Sequence, residues 1–203
     1  MDDLGNQILY FRFDNLPPYS TKLSNTPNQT IMPDIQPFLQ AEKYVESDDP
    51  KLSEFAKRFK ESEPVKTAEN IFRWVAGNLK YTGYVGNDRG ALYGFNHKKG
   101  DCTEYMYLFA AFCRANKIPA RCIGGYICRE NTILKPGAYH NWAEIYEDHT
   151  WRNVDPQNKV FMQNQSDYIA MRIINNTKAG GNPMEDYHRF RFSGDGLKVK
   201  MNK

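Results

Sequence analysis

The sequence predicts an α+β fold on three observations. A helix that is apolar on nearly every side begins at Cys102, three β-prone segments follow it closely, and two amphipathic helices precede it. A helix with no polar face has to be enclosed by other elements. Helices grouped ahead of strands that are joined by short polar turns suit an antiparallel sheet with helices on one side.

Composition narrows the class before any motif is read. A chain of 203 residues buries about 70% of its unfolded surface, so its core needs neither metal nor disulfide. Hydrophobic residues at 40%, charged at 25% and aromatic at 14% exclude disorder, collagen and coiled coil as the main state. No apolar run approaches the roughly 20 residues of a membrane span. The acidic start, Met1-Asp2-Asp3, leads no apolar stretch. No signal peptide is therefore expected in this chain, which reads as cytoplasmic, with a secreted or periplasmic origin open if a leader has been removed. A net charge of +3 whose only basic concentration is the tail, residues 197–203, gives no nucleic-acid footprint. Cysteines at 102, 113, 122 and 128 form no C-x-x-C pair, and the four histidines form no ligand cluster. No metal and no cofactor is expected, and a reduced compartment is the simpler reading.

Three regions follow from this reading: an N-terminal strand and extended arm over 1–48, a core over 49–160, and a C-terminal segment over 161–203 whose hairpin completes the same domain. Residues 7–13 (QILYFRF) are β-prone, and residues 14–37, rich in Pro, Asn, Ser and Thr, read as an arm crossing the surface. Asp49 and Pro50 suit N-cap and N1 of a first helix, with Leu52, Phe55, Ala56 and Phe59 on its inner side. A second helix is expected over 64–76, with Val65, Ala68, Phe72 and Val75 buried and Gly77 just past its end. The glycine-rich stretch 77–100 has no clean period and reads as a long, functional loop. Asp101 and Glu104 then form a capping-box pattern around the start of the apolar helix, which ends near Asn116 ahead of Pro119. Strands are expected over 120–129 (ARCIGGYICR), 138–146 (AYHNWAEIY) and 151–155 (WRNVD), the last two joined at 147–150. A mixed segment runs to about 183, and residues 188–192 and 197–201 flank a hairpin turn at 193–196.

Position alone makes Cys102 a candidate nucleophile. It stands at N1 of a buried helix, where free N–H groups favour negative charge and the thiolate is the attacking species. The Cys102 N–H can also donate to an oxyanion formed where the sulfur attacks. The structural alternative, a buried packing cysteine, suits Cys113 in mid-helix and Cys122 and Cys128 in a strand better. A symmetric turn at 147–150 sets residue 142 opposite 155. His140, Trp142, Asn153 and Asp155 then share one face, with His140 and Asp155 diagonal neighbours, while Ala143, Ile145 and Val154 take the apolar face. An acid beside the imidazole fixes its tautomer and stabilises its charged form.

Five stretches carry a resemblance: Gly100-Asp101-Cys102-Thr103-Glu104, Ile118-Pro119-Ala120-Arg121, Gly125-Tyr126, His140-Asn141-Trp142-Ala143-Glu144 and Trp151-Arg152-Asn153-Val154-Asp155-Pro156. Over residues 65–160 the chain resembles the transglutaminase-like core of the papain-like fold. The resemblance implies Cys102 as nucleophile, His140 as base and Asp155 as the orienting acid. It implies a peptide or protein substrate and, from bacterial relatives, hydrolysis ahead of amine transfer. Eukaryotic members place a Trp where Tyr84-Val85-Gly86 stands here, so the resemblance nominates Tyr84 as an oxyanion or substrate residue, with Tyr81 as competitor. Trp142 or Trp151 would wall an acceptor tunnel if an amine competes with water. Peptide N-glycanase, arylamine acetyltransfer and a silent peptide-binding module on the same fold are the other readings.

Overall fold

The computed structural model describes residues 34–174, 187–188 and 196–199. Helices α1 (Pro50–Ala56), α2 (Pro64–Asn78), α3 (Gly90–His97) and α4 (Cys102–Ala115) come first. Strands β3 (Ala120–Ile127), β5 (His140–Glu147), β6 (Thr150–Asp155), β7 (Val160–Phe161), β8 (Tyr168–Ile174) and β9 (Tyr187–His188) form an antiparallel sheet in the order β7-β6-β5-β3-β8-β9. Two small sheets stand apart from it: β1 (Lys80–Tyr81) parallel to β2 (Lys99–Gly100), and β4 (Thr132–Leu134) antiparallel to β10 (Leu197–Val199). The fold is α+β, with α4 packed on an antiparallel sheet.

α4 is the centre of the molecule. Every residue from Thr103 to Arg114 is buried, as its all-round apolarity requires. Phe112 meets Phe55, Phe59, Trp74 and Phe95 at ring separations of 5.3–5.8 Å, which joins α1, α2 and α3 to α4. At the far end the Arg114 guanidinium is buried. It pairs with Glu42 at 2.7 Å and donates to the carbonyls of Ala120 and Gln40. Breaking a buried pair leaves one uncompensated charge and costs about 3–5 kcal/mol. The segment around residue 42 is thereby tied to the core.

The sheet follows from its register. A two-residue turn at Asp148 and His149, both at positive φ, joins β5 to β6 with Glu147 opposite Thr150 and Ala143 opposite Val154. Positive φ at both turn residues matches the strand twist. Ala143, Ile145 and Val154 join Ala120, Cys122 and Ile174 in the cluster around α4, and Trp142 packs with Ile123, Val160 and Tyr168 on the opposite face. β3 bulges between Gly124 and Gly125, where a Cβ on Gly125 would stand 2.7 Å from the Trp142 ring.

Several expectations change. α2 continues through Gly77 to Asn78, because buried Leu79 takes extended backbone at its cap and no left-handed glycine is needed. Its buried side is Val65, Thr67, Ala68, Ile71 and Val75, with Phe72 half-buried against Phe161. The stretch 77–100 is only partly loop. It contains α3, whose first N–H groups are capped from outside: Glu46 accepts from Ala91 and Leu92 at 2.9 and 3.2 Å, and the Tyr44 carbonyl also accepts from Ala91. A cap 45 residues away leaves no local signal. In the mixed segment beyond residue 156, β8 pairs with β3. Both of its faces are covered, so it shows apolar residues on both, broken only at Arg172, instead of alternation. Residues 136–138 form a 3-10 turn, so β5 starts at His140. Leu197–Val199 pair with Thr132–Leu134, and His188 pairs with Arg172 of β8. The rest of that expected hairpin and the expected strand at 7–13 lie outside the described residues.

Gly90 has φ +85, and a Cβ there would stand 2.6 Å from the Glu46 carboxylate that caps α3. A Cβ on Gly77 meets nothing within 4 Å. Gly90→Ala is expected to lower the unfolding free energy by about 1–3 kcal/mol through strain and loss of the cap. Gly77→Ala is expected to raise it by about 0.4–1 kcal/mol, since alanine restricts the unfolded chain at a helical position. Urea titration of the two variants checks both signs.

Candidate active site

The start of α4 is held by a buried polar lattice. The Asp101 side chain accepts from the Thr103 N–H at 2.9 Å and from the Val85 N–H at 3.1 Å. Glu104, fully buried, accepts from the Asp101 N–H at 3.0 Å, which completes the capping box. The same carboxylate takes the Arg89 N–H at 3.1 Å and the Arg89 guanidinium at 2.7 Å. A buried carboxylate is tolerated because its donors and its counter-charge are present. The loop ahead of α3 is thus fastened to the helix end that carries Cys102, which is half-buried.

His140 opens β5 and Asp155 closes β6. Their Nε2 and Oδ2 atoms are 2.7 Å apart, with side chains 12% and 1% exposed. Nε2 therefore carries its proton toward the carboxylate, and Nδ1 is the ring nitrogen left for a second partner. Burial opposes a charge on His140. The hydrogen bonds to Asp155 and Cys102 and their negative charge outweigh burial and raise the imidazole to about 9. Burial likewise works against the Asp155 carboxylate. The bond and charge of His140 and the two bonds from Asn158 prevail and lower it.

Asp155 is the most heavily bonded group in the site. Its Oδ2 accepts from His140, from the Asn158 amide at 2.7 Å and from the Tyr168 hydroxyl at 3.1 Å, and its Oδ1 accepts from the Asn158 N–H at 3.1 Å. Asn158 Nδ2 and His140 Nε2 lie 3.1 Å apart because both donate to that one oxygen. Burial and the Asp155 charge push the Tyr168 phenol far up, so it stays a donor.

Trp142 lies fully buried beneath the imidazole, its ring 6.4 Å away and 18° from parallel, with Tyr168 edge-on behind it. It does not border open space. Trp151 packs at the other end of β6 against Phe38 and Tyr146. Tyr84 and Tyr81 are 79% and 51% exposed. The loop bearing Tyr84 is fixed at its neighbour Val85 by Asp101. Cys113 and Cys122 are buried, their thiols pushed up by burial, and all four cysteines are free.

Sequence reasoning missed Asn158, Tyr168, and the bond from Asn141 to the Thr103 hydroxyl at 3.2 Å, which links the His140 strand to the Cys102 helix. Asn158 carried a readable signal, since Asp155-Pro156-Gln157-Asn158 suits a turn closed by the aspartate. Tyr168 carried none, because its strand was not expected. The Arg121 and Glu144 positions prove to be one ion pair at 2.6 Å, stacked on Trp151. They hold β3 to β5.

The two pKa directions set a pH window. His140 lies above its ordinary 6.5 when folded, so its stabilisation is full below pH 6.5 and is lost as pH rises through about 9. Asp155 lies below its ordinary 3.8, so its contribution is present above that and is lost at lower pH. Asp155→Asn also sets an N–H against one of the donors that converge there. The melting-temperature gap between wild type and Asp155→Asn is therefore expected to be widest near pH 5–6.5, worth about 1–3 kcal/mol, and to narrow toward pH 9.5. Thermal melts across that range check it.

Residues 53–156, half of the chain, match the family model described as the transglutaminase-like superfamily. An uncharacterized protein of Haemophilus influenzae is 32% identical over 116 residues, which covers 54% of this chain and 31% of that protein. A crystal structure named "Putative Cysteine Protease" from Cytophaga hutchinsonii aligns with TM-score 0.59 at 26% identity, covering 76% of this chain and 52% of the other. The periplasmic domain of TgpA from Pseudomonas aeruginosa aligns with TM-score 0.47 at 20% identity, over 65% of this chain and 51% of that one. The chain thus spans about a third of the Haemophilus relative and about half of the Cytophaga protein. Among the described residues no helix is long and apolar enough to cross a membrane. With the family model covering half of its length and the buried Cys102 helix set on an antiparallel sheet, the chain belongs to the transglutaminase-like superfamily.

Proposed function

We propose that this chain is a cysteine-dependent acyl-transfer enzyme acting on a peptide or protein carbonyl, with water as the acceptor. The observation that carries the reading is the 2.7 Å His140–Asp155 pair, joined through Asn141 and Thr103 to the capped helix N-terminus on which the Cys102 thiol stands. The Cys102 thiolate adds to the carbonyl carbon. The oxyanion accepts from the Cys102 N–H, a group with no partner within its own helix, and from Tyr84 as a second donor. His140, charged, gives its Nδ1 proton to the leaving amine as the C–N bond breaks, leaving a thioester and a neutral imidazole. That imidazole then takes a proton from water. The hydroxide adds to the thioester, the thiolate leaves, and the acid and the imidazolium–thiolate pair are regenerated. Asp155, held by Asn158 and Tyr168, keeps Nε2 protonated throughout.

Two observations favour water over an amine. Trp142, one candidate tunnel wall, is enclosed beneath His140, and Trp151, the other, is engaged at the far end of the strand. The name of the Cytophaga structure points the same way.

Incubation of wild type and Cys102→Ala with a peptide library, read by mass spectrometry, tests the reading. New peptide termini or conversion of glutamine to glutamate by wild type alone is expected. His140→Ala and Asp155→Asn should lower turnover by about 10²–10⁴-fold. Brief iodoacetamide treatment at neutral pH should label Cys102 ahead of Cys113, Cys122 and Cys128. An inert Cys102 would instead favour the peptide-binding module without catalysis.

A further inference from the structure

The carboxylate oxygen that His140 meets is shared. Asp155 Oδ2 takes three donors: His140 Nε2 at 2.7 Å, Asn158 Nδ2 at 2.7 Å and the Tyr168 hydroxyl at 3.1 Å. Oδ1 takes the Asn158 backbone N–H at 3.1 Å. A carboxylate offers about four lone-pair sites over its two oxygens. Three donors on one of those oxygens therefore compete, and each weakens the others.

Asn158 is the competitor that faces the imidazole. It stands in the turn 156–159 between β6 and β7, beside the register pair Asp155–Val160. Its Nδ2 lies 3.1 Å from His140 Nε2. Both nitrogens present hydrogen, so the positive ends of two polar bonds stand side by side. A charged imidazole loses more from that than a neutral one. The Asn158 bond also draws on the Asp155 charge that His140 would otherwise receive, and it helps to lower the acid. The two effects have the same sign: both act against protonation of His140. The titratable groups that face His140 from the elements around it are Cys102 of α4, Asp155 of β6 and, through Asp155, Tyr168 of β8. The charges of Cys102 and Asp155 favour the imidazolium. Asn158 opposes it by contact.

We propose that Asn158 is a positioning residue whose side chain keeps His140 a weaker base than Asp155 would otherwise make it. The second half of the reaction needs a neutral imidazole to take a proton from water, and an imidazole held charged at the working pH cannot do so. That use of Asn158 rests on the acyl-transfer reading; its effect on the imidazole does not. The opposite sign follows if Asn158 serves only to close the turn. Its loss would then loosen the Asp155 carboxylate and make His140 easier to deprotonate.

Asn158→Ala isolates the side chain. It keeps the backbone N–H that Asp155 Oδ1 accepts, and the position is exposed, so the turn and the fold remain. The first measurement is an NMR pH titration of the His140 ring in protein with isotope-labelled histidine, with His140→Gln supplying the assignment. It compares Cys102→Ala with Cys102→Ala/Asn158→Ala. The thiol is absent from both, so a failure of the catalytic reading has no bearing on the result. The His140 midpoint is expected to rise by about half a pH unit or more when Asn158 is replaced. The second measurement is the pH dependence of iodoacetamide labelling with Cys102 present. A more basic imidazole takes the thiol proton more readily, so the labelling midpoint of Asn158→Ala should lie below that of wild type. A His140 midpoint that stays or falls overturns the proposal, and so does a labelling midpoint that moves to higher pH. A Cys102 that iodoacetamide does not label overturns the catalytic reading instead, and the titration alone then decides the role of Asn158.

Discussion

One buried carboxylate organises the functional end of the molecule. Glu104 sits inside the protein with no exposure, and three donors converge on it: the Asp101 N–H and both the backbone N–H and the guanidinium of Arg89. Asp101 caps α4 and Arg89 immediately precedes α3, so the same group fixes where two helices begin. Withdrawing it would strand a partly buried guanidinium and two amide donors. The position of Cys102 is a consequence of that constraint, because the cysteine is the first residue of the helix so fixed.

The second anchor is anionic as well. Asp155 is held in its charged form by four donors, and His140 is only one of them. Sharing the load among Asn158 and Tyr168 fixes the carboxylate whether or not the imidazole is charged. Pre-arranged dipoles of this kind need no rearrangement when charge moves. The two anchors come together through Asn141 and Thr103, which join the strand of one to the helix of the other.

What was legible in the sequence were features whose causes lie close along the chain. The capping box of α4, the N-cap and proline of α1, and the register of β5 on β6 all depend on residues a few positions apart. The register by itself puts His140 and Asp155 on one face. What escaped depends on distant partners: α3 is capped by Glu46 and Tyr44, and β8 finds its place beside β3 after four intervening strands. The motif residues Arg121 and Glu144 clamp two strands to each other. Asn158 lies two residues beyond the Trp151–Pro156 stretch and bonds directly to Asp155.

The tie between Glu42 and Arg114 bears on where a working unit can be cut. The family-matched segment starts at residue 53, yet the counter-ion of a fully enclosed guanidinium on α4, and the cap of α3, both come from residues before 50. A fragment trimmed to the matched boundary would have to hydrate or bury that cation alone. The homologous region and the autonomous folding unit are thus different stretches of this chain, and the additional stretch is there for electrostatic reasons that lie at the opposite end of α4 from the cysteine.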